Sequence, residues 1–317
     1  MRSRLSGAVE RVGRWWFPPV PVGRIERLRS IVYGFILIDV LLLRPWVADN
    51  GMLPAELYHP LFIARLLPFP TPTAAIVGSV KYVLLLSALI VAFRRSPRVL
   101  GSVTFVLYLQ WMLFAFSYGK VDHDRVAFLV ALAVLPTVPR ATSQDNSTSE
   151  AAGWALRCIQ VAVVMTYFLA VFAKLRYGGV DWVNGATLVR AVLRRGTALA
   201  EPLTDQRWIL HVSQYLIILF ELASPLLLVK GLLGRVYLAL AVMFHAVTFA
   251  MIGIVFWPHV VCLSAFLPLE RFKLRKHKAP VENGTAMSAE VLPGGRSAGN
   301  HSVAPMGPRS GPQADSG

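Results

Sequence analysis

The chain has 317 residues, of which 55% are hydrophobic and only 15% are charged, and its mean hydropathy is +0.55. A soluble domain of this length needs more charge to cover its surface, so the composition excludes an ordinary globular enzyme or binding domain. The apolar residues also lie in long blocks, and an α-helix needs about 20 apolar residues to cross a bilayer. We therefore predict an all-α, polytopic membrane protein with about eight transmembrane helices.

The formal net charge of +15 would suggest a nucleic-acid partner if the protein were soluble. Here the basic residues gather at the ends of the apolar blocks, so the expected partner is an anionic lipid bilayer and not nucleic acid. No pattern in the sequence identifies a protein partner.

The chain divides into three regions: a basic N-terminal arm (1–23), the apolar blocks (24–272), and a tail (273–317) that is first basic and then rich in Gly, Ser and Pro. Such a tail buries little apolar surface, so we expect it to be disordered. A short interfacial helix is predicted over 55–67. The eight predicted spans cover, in chain order, residues 28–43, 74–93, 99–116, 125–138, 153–173, 208–229, 235–252 and 256–269.

Lys and Arg in short loops predict the orientation, because such loops stay in the cytoplasm. With an even number of spans, the basic loops lie on the same side of the membrane as both termini. These loops contain Arg94, Arg95, Arg98, Lys230 and Arg235. We therefore predict a multi-pass protein of the cell membrane with both termini in the cytoplasm. The loop between the fifth and sixth spans breaks the pattern through Arg190, Arg194, Arg195 and Arg207.

Several ionisable residues fall inside the predicted spans, where charged side chains generally face a partner or a cavity. Asp39 and Lys81 lie at similar depth in the first two spans, so they could form an ion pair. Alternatively, Lys81 extends to the lipid headgroups and Asp39 is a satisfied structural group. Glu221 and His245 lie inside the sixth and seventh spans. For both, a role in packing is the alternative to a role in chemistry.

Two further candidates lie at the predicted outer ends of spans. Lys174 closes the fifth span, where it is either an interfacial anchor or, if burial keeps it neutral, a strong base. His123 lies beside Asp122, whose carboxylate could orient the ring. Trp182 suits an aromatic belt at the membrane surface. The cysteines and histidines show no metal-ligand spacing, so no metal site is predicted.

Four ordered segments resemble the HTTM family, the membrane domain shared with vitamin K-dependent gamma-carboxylases, over residues 24–269. The segments are RLRSIVYGFILIDVLLLRP followed by DNGMLP, then SYGKVDHDRVAFLVALAVLP, then YFLAVFAKLRYGGVDWVNG, and finally FELASPLLL with MFHAVTFAMIGIVF. The third segment is the most specific, because it resembles the family's helix that ends in a lysine, followed by a short loop and a Trp before a Gly.

The resemblance implies a particular chemistry. In the carboxylases, reduced vitamin K reacts with oxygen near a neutral lysine, and the base so formed removes a proton from a peptide glutamate before carbon dioxide adds. The resemblance places that lysine at Lys174, with His123 and His245 as assisting residues and Asp122 in place of the usual asparagine. The other candidates, for cofactor binding, are Asp39, Lys81, Asp122, Trp182 and Glu221. The implied cofactor is a lipid hydroquinone, either menaquinol or vitamin K hydroquinone.

The carboxylases also have a large non-membrane domain that binds the peptide, and the residues after 269 do not resemble it. We therefore expect neither peptide carboxylation nor propeptide recognition, and the membrane core retains either the quinol chemistry or only the architecture. Two alternatives to an enzyme stay open: a non-catalytic membrane scaffold or partner protein, and a small-molecule carrier. The sequence lacks the paired broken helices that are typical of many carriers.

Overall fold

The computed structural model describes residues 2–67, 69–93 and 98–272, without the side chains of residues 2–6 and 8. This part of the chain is mostly helical. Its α-helices are α1 (Arg2–Trp16), α2 (Val22–Ile38), α3 (Phe62–Leu66), α4 (Ala74–Phe93), α5 (Arg98–Phe116), α6 (Val126–Val134), α7 (Glu150–Gly178), α8 (Ala186–Arg195), α9 (Arg207–Leu222), α10 (Leu232–Ile252) and α11 (Trp257–Leu263).

Short 3₁₀-helical or π-helical turns extend several of these helices. A π-helix over Asp39–Leu43 continues α2, and 3₁₀ turns follow α6, α9 and α11 over Leu135–Thr137, Ser224–Leu228 and Ser264–Phe266. Two-residue strands β1 (Val20–Pro21) and β2 (Thr148–Ser149) pair antiparallel. This pairing holds the start of α2 beside the start of α7.

Four helices of the described chain are long and apolar enough to cross a membrane: α4, α5, α7 and α10. The segments Val22–Leu43 and Pro45–Met52 meet the same criterion together, with a bend of 62° between them, so the count rises to five if they form one span. Only 17% of the apolar window of α10 is buried within the protein. The predicted helical membrane class is confirmed, and length and composition support four to five spans.

Helix α6 is too short to cross a bilayer alone, and it lies inside the bundle against α5, α7 and α11. Its residues Phe128, Ala131 and Leu132 are fully buried. Helix α5 passes close to its neighbours at Gly101, where a β-carbon would lie 3.1 Å from the side chain of Pro136. A larger residue at this position would therefore push the two segments apart.

Arg29, in the middle of α2, binds the carbonyl groups at the end of α6. Its Nη2 donates to the carbonyl oxygens of Leu135 and Val138 at 2.6 and 2.5 Å, and its Nη1 donates to that of Pro139 at 3.3 Å. A helix leaves its last carbonyls without backbone partners, so a buried guanidinium satisfies them. This contact joins α2 to the end of α6, opposite the end of α6 that follows His123.

The predicted break between the last two spans is present, since α10 ends at Ile252, Gly253 has a φ of 63°, and α11 begins at Trp257. The predicted interfacial helix over 55–67 is wrong. The structure has a 3₁₀ turn over Ala55–Leu57 and the separate helix α3, because Pro60 lacks an amide proton and disfavours a helical residue before it. Arg94, Arg95 and the predicted tail (273–317) lie outside the described residues.

Candidate functional site

Lys174 lies near the end of α7, where it binds a carboxylate from α9. Its Nζ donates to Oε1 and Oε2 of Glu221, each at 2.6 Å. The Glu221 side chain is only 6% exposed and that of Lys174 is 20% exposed. Two predicted candidates therefore form a largely buried ion pair joined by two short hydrogen bonds.

Trp182 closes over this pair from the segment that follows α7. The Nζ of Lys174 is 5.4 Å from the centroid of the Trp182 ring, within the range of a cation–π contact. Positive φ angles at Gly179 and Gly185 turn the chain back on either side of this segment. The amide nitrogen of Gln214 donates to the carbonyl oxygen of Trp182 and holds the segment against α9.

His245 lies on α10 and is held by a tyrosine from α7. The hydroxyl oxygen of Tyr167 and Nε2 of His245 are 2.8 Å apart, in hydrogen-bond contact. His245 is 8% exposed, and its Nδ1 has no hydrogen-bond partner among the described residues. Its ring also packs against Phe244 and Phe256, with centroids 5.2 and 5.4 Å away.

His259, on α11, joins the same cluster and was not a candidate from the sequence. Its ring centroid lies 4.6 Å from that of Tyr167 and 5.3 Å from that of His245. His259 is 1% exposed, and neither ring nitrogen has a hydrogen-bond partner in the described chain. A single histidine in an apolar segment carries no signal by itself, so only the packing of α7, α10 and α11 reveals it.

His123 lines a cavity of about 220 Å³ at one end of the bundle. Burial and then the positive charges of Lys174 and Lys120 lower the pKa of His123, so its ring is neutral at pH 7. The ring of Phe256 lies 6.3 Å from that of His123 and joins the cavity to the His245 cluster. The cavity is lined by Lys120, Asp122, His123, Asp124, Arg195, Gly253, Ile254, Val255 and Phe256.

The two aspartates beside His123 differ in their partners. Asp122 accepts a hydrogen bond from Arg44 and lies 3.4 Å from the Nζ of Lys120, so it is bound to these cations instead of orienting His123. Burial opposes ionisation of Asp122, but Arg44 and Lys120 outweigh it and lower its pKa. In contrast, burial raises the pKa of Asp124 to about 6.

Of the two alternatives for Asp39 and Lys81, the ion pair between them is wrong, and Asp39 is a satisfied structural group. Oδ1 of Asp39 lies 2.6 Å from Nη1 of Arg125, and Tyr108 donates to Oδ2 of Asp39 at 2.9 Å. Asp39 is on the π-helical end of α2 and is fully buried, facing α5 and the start of α6. Lys81 is half-buried on α4 and forms no ion pair with the described residues. The helices pack together, but these two side chains point to different neighbours.

Within the described residues, no group of three or more His, Cys, Asp or Glu side chains is arranged to hold a metal ion. The contacts described above bring Lys174, Glu221 and Trp182 together as one group. His123 and His245, joined through Phe256, form a neighbouring group. Asp39 belongs to a separate buried ion pair.

A model of the HTTM domain family matches residues 72–270, which is more than half of the chain. No curated protein and no solved structure matches the chain.

Proposed function

This chain belongs to the HTTM domain family of gamma-carboxylase-like, multi-pass membrane proteins, and from that premise we propose that its membrane core is an acid–base enzyme acting on a lipid hydroquinone. Lys174 is the proposed base, and His123 and His245 assist it. The observation that carries this proposal is the pair of 2.6 Å hydrogen bonds between Lys174 and Glu221, beside a cluster of buried histidines.

A lysine acts as a base only after its ammonium has lost a proton, and Glu221 supplies the acceptor. Transfer of one proton from Nζ to a carboxylate oxygen leaves a neutral amine and a neutral carboxylic acid. A low-dielectric environment favours such a neutral pair over two separated charges. The amine of Lys174 can then accept a proton from a ligand hydroxyl, while Glu221 keeps the first proton until the site is reset.

The residues around the histidine cluster fit a hydroquinone head group. Nδ1 of His245 is buried and unpaired among the described residues, and Phe256 and Tyr167 provide aromatic faces. The cavity at His123, of about 220 Å³, is smaller than the roughly 300–1,000 Å³ of sites that enclose whole drug-sized ligands. It suits a head group whose lipid tail remains in the bilayer. When bound, a lipid hydroquinone supplies the reducing equivalents for a reaction with oxygen.

A non-catalytic scaffold is the second candidate function, and the ion pairs favour it. Glu221 neutralises Lys174, and Arg125 neutralises Asp39, so each buried charge of these pairs has a partner of opposite sign. A protein core without a catalytic role needs only such paired charges. In a scaffold, Lys174 needs only its positive charge, which pairs with Glu221. In an enzyme, Lys174 must also release its proton.

The experiment uses the purified full chain in lipid nanodiscs, supplied with reduced menaquinone and oxygen, with quinone epoxide measured by mass spectrometry. We expect epoxide from the wild type and from Lys230→Ala, which removes an exposed lysine on the loop before α10. We expect none from folded Lys174→Ala. If the folded wild type forms no epoxide, the enzyme proposal fails and the scaffold is supported.

We also propose that residues 24–272 form a membrane domain of eight segments in the cell membrane, with the basic arm (1–23) and the tail (273–317) in the cytoplasm. The basic loops support this orientation. The 3₁₀ turns that lengthen α6, α9 and α11 support counting these shorter helices as membrane segments.

A further inference from the structure

His259 is a buried polar side chain that the proposed base chemistry does not use. It is 1% exposed, yet both of its ring nitrogens lack a hydrogen-bond partner in the described part of the chain. Buried polar atoms are nearly always paired, since leaving one unpaired destabilises the folded protein. Two unpaired nitrogens on one buried ring therefore indicate that the ring interacts with something other than the protein.

The ring of His259 lies beside a neighbour with the same property. Nδ1 of His245 is also buried and unpaired among the described residues, and the two imidazole rings are 5.3 Å apart at 61°. An oxygen hydrogen-bonded to a ring nitrogen lies about 4 Å from that ring's centroid. A point about 4 Å from both centroids exists at this separation, so the spacing of the rings is compatible with one oxygen atom bound to both.

The chemistry of these nitrogens selects the type of oxygen. A neutral imidazole has one N–H donor and one acceptor nitrogen, so His259 offers both. A hydroxyl group donates one hydrogen bond and also accepts, whereas a carbonyl or an anion only accepts. The nearby rings are aromatic, with Tyr167 at 4.6 Å from His259 and Phe256 at 5.4 Å from His245. These surroundings suit a hydroxyl carried by a planar aromatic ring.

We propose that His245 and His259 together bind a hydroxyl group of an aromatic diol, with His259 as a binding residue that the sequence resemblance does not indicate. This inference rests on the proposed function, because it concerns the same hydroquinone. It adds that the hydroxyl is held at the junction of α7, α10 and α11. Tyr167 orients His245 through their 2.8 Å hydrogen bond.

The test compares the binding of two probes to the full chain in nanodiscs under anaerobic conditions. One probe is menadiol, and the other is its dimethyl ether, which keeps the ring system but cannot donate a hydrogen bond. We expect the wild type to bind menadiol at least about tenfold more tightly than the ether, as expected for hydrogen bonds made in a buried site. In His259→Phe, which keeps a ring but removes both nitrogens, we expect this preference for menadiol to shrink, because only His245 of the pair still binds the hydroxyl.

His211→Phe is the matched control. Nε2 of His211 is also buried and unpaired among the described residues, but the ring lies on α9, beside Tyr215 at 5.4 Å. We expect this variant to prefer menadiol as the wild type does. Without a ligand, we expect His259→Phe to unfold at a temperature equal to or above that of the wild type, because the substitution removes two unpaired polar atoms.

The outcomes separate this inference from the proposed function. If His259→Phe prefers menadiol as strongly as the wild type does, or if the wild type binds both probes equally, the inference is wrong, even where the wild type produces epoxide. A large loss of thermal stability in ligand-free His259→Phe would also contradict it, because it would indicate a bound water only. If hydroxyl-dependent binding is found without any epoxide, the inference stands and the enzyme proposal fails.

Discussion

Arg125, at the start of α6, lies 2.6 Å from Asp39, at the end of α2, and both side chains are almost completely buried. Tyr108 completes the group, since its hydroxyl donates to Asp39 at 2.9 Å and accepts from Arg125 at 2.8 Å. Three helices are therefore joined by one polar contact inside an apolar bundle.

Removing only one member of this ion pair leaves the other charge buried and unpaired. We expect Arg125→Met to lower the free energy of unfolding by about 3–5 kcal/mol. The double variant Arg125→Met with Asp39→Leu should recover much of this loss, because no charge remains. Denaturant unfolding of the purified protein in bicelles measures both variants.

Lys120→Ala serves as the stability control, because Lys120 is 80% exposed and contacts Asp122 across 3.4 Å. An exposed ion pair contributes about 0–1 kcal/mol. If Arg125→Met were no more destabilising than Lys120→Ala, the buried pair would not stabilise the bundle.

Lys174→Arg separates a base from a structural cation. Arginine can keep a hydrogen-bonded ion pair with Glu221, but its guanidinium does not lose a proton in proteins. We expect a folded variant with no epoxide formation in the nanodisc assay. Activity close to that of the wild type would contradict the base role and favour a structural one.

Glu221→Gln tests the partner of Lys174. The amide cannot accept the lysine proton as the carboxylate does, so we expect epoxide formation to fall by about 10²–10⁴-fold, the range of general acid–base catalysis. Comparing single-turnover rates with menadiol affinity distinguishes the loss of proton transfer from the loss of binding. A lower affinity with an unchanged single-turnover rate would show that Glu221 only helps to bind the ligand.

The proposed topology places Val121 and Gln144 on opposite sides of the membrane. Val121 is 50% exposed and lies between α5 and α6, and the exposed Gln144 lies between α6 and α7. In a chain with Cys158 and Cys262 replaced by alanine, an impermeant thiol reagent added to intact cells should label Val121→Cys but not Gln144→Cys. The reverse pattern, or labelling of both, would overturn the orientation.

Asp124 should make the stability of the protein fall as the pH rises from about 4 to 6. Burial raises its pKa from 3.8 to about 6 in the folded chain. Over this range the unfolded chain has released the proton that the folded chain still binds, so the unfolded state is favoured as the pH increases. Above about pH 6 both states are ionised and this contribution no longer changes.

Asp124→Asn removes this titration. The melting temperature of the wild type, relative to that of Asp124→Asn, should decrease between pH 4 and pH 6 and then level off. Thermal unfolding in one detergent at a series of pH values measures the difference. A difference that is constant across this range would show that Asp124 ionises at the same pH in both states.

The features that the sequence predicts best depend on local signals. These features are the order of the apolar segments, the break at Gly253 before Trp257, and the lysine near the end of α7 followed by a nearby tryptophan. Each is formed by residues close together in the chain. Their identification needs only helix length, glycine and proline chemistry, and the resemblance of one segment to a family.

The features that the sequence missed depend on which way a helix faces. Depth alone made Lys81 a plausible partner for Asp39, but the π-helical end of α2 turns Asp39 toward Tyr108 and Arg125 instead. His259 is another example, because its neighbours Tyr167 and His245 come from two helices distant in the chain. Such contacts follow from helix rotation and packing, which hydropathy does not determine.

The short distance between Lys174 and Glu221 also has an electrical consequence. Carrying one elementary charge across the whole membrane against 100 mV requires about 2.3 kcal/mol. A proton passing between atoms 2.6 Å apart covers less than about a tenth of the roughly 30 Å hydrocarbon core. The field then changes the energy of this transfer by about 0.2 kcal/mol at most. Proton transfer within the proposed Lys174–Glu221 pair would therefore be nearly independent of the voltage across the membrane, and so alike in energised and de-energised cells.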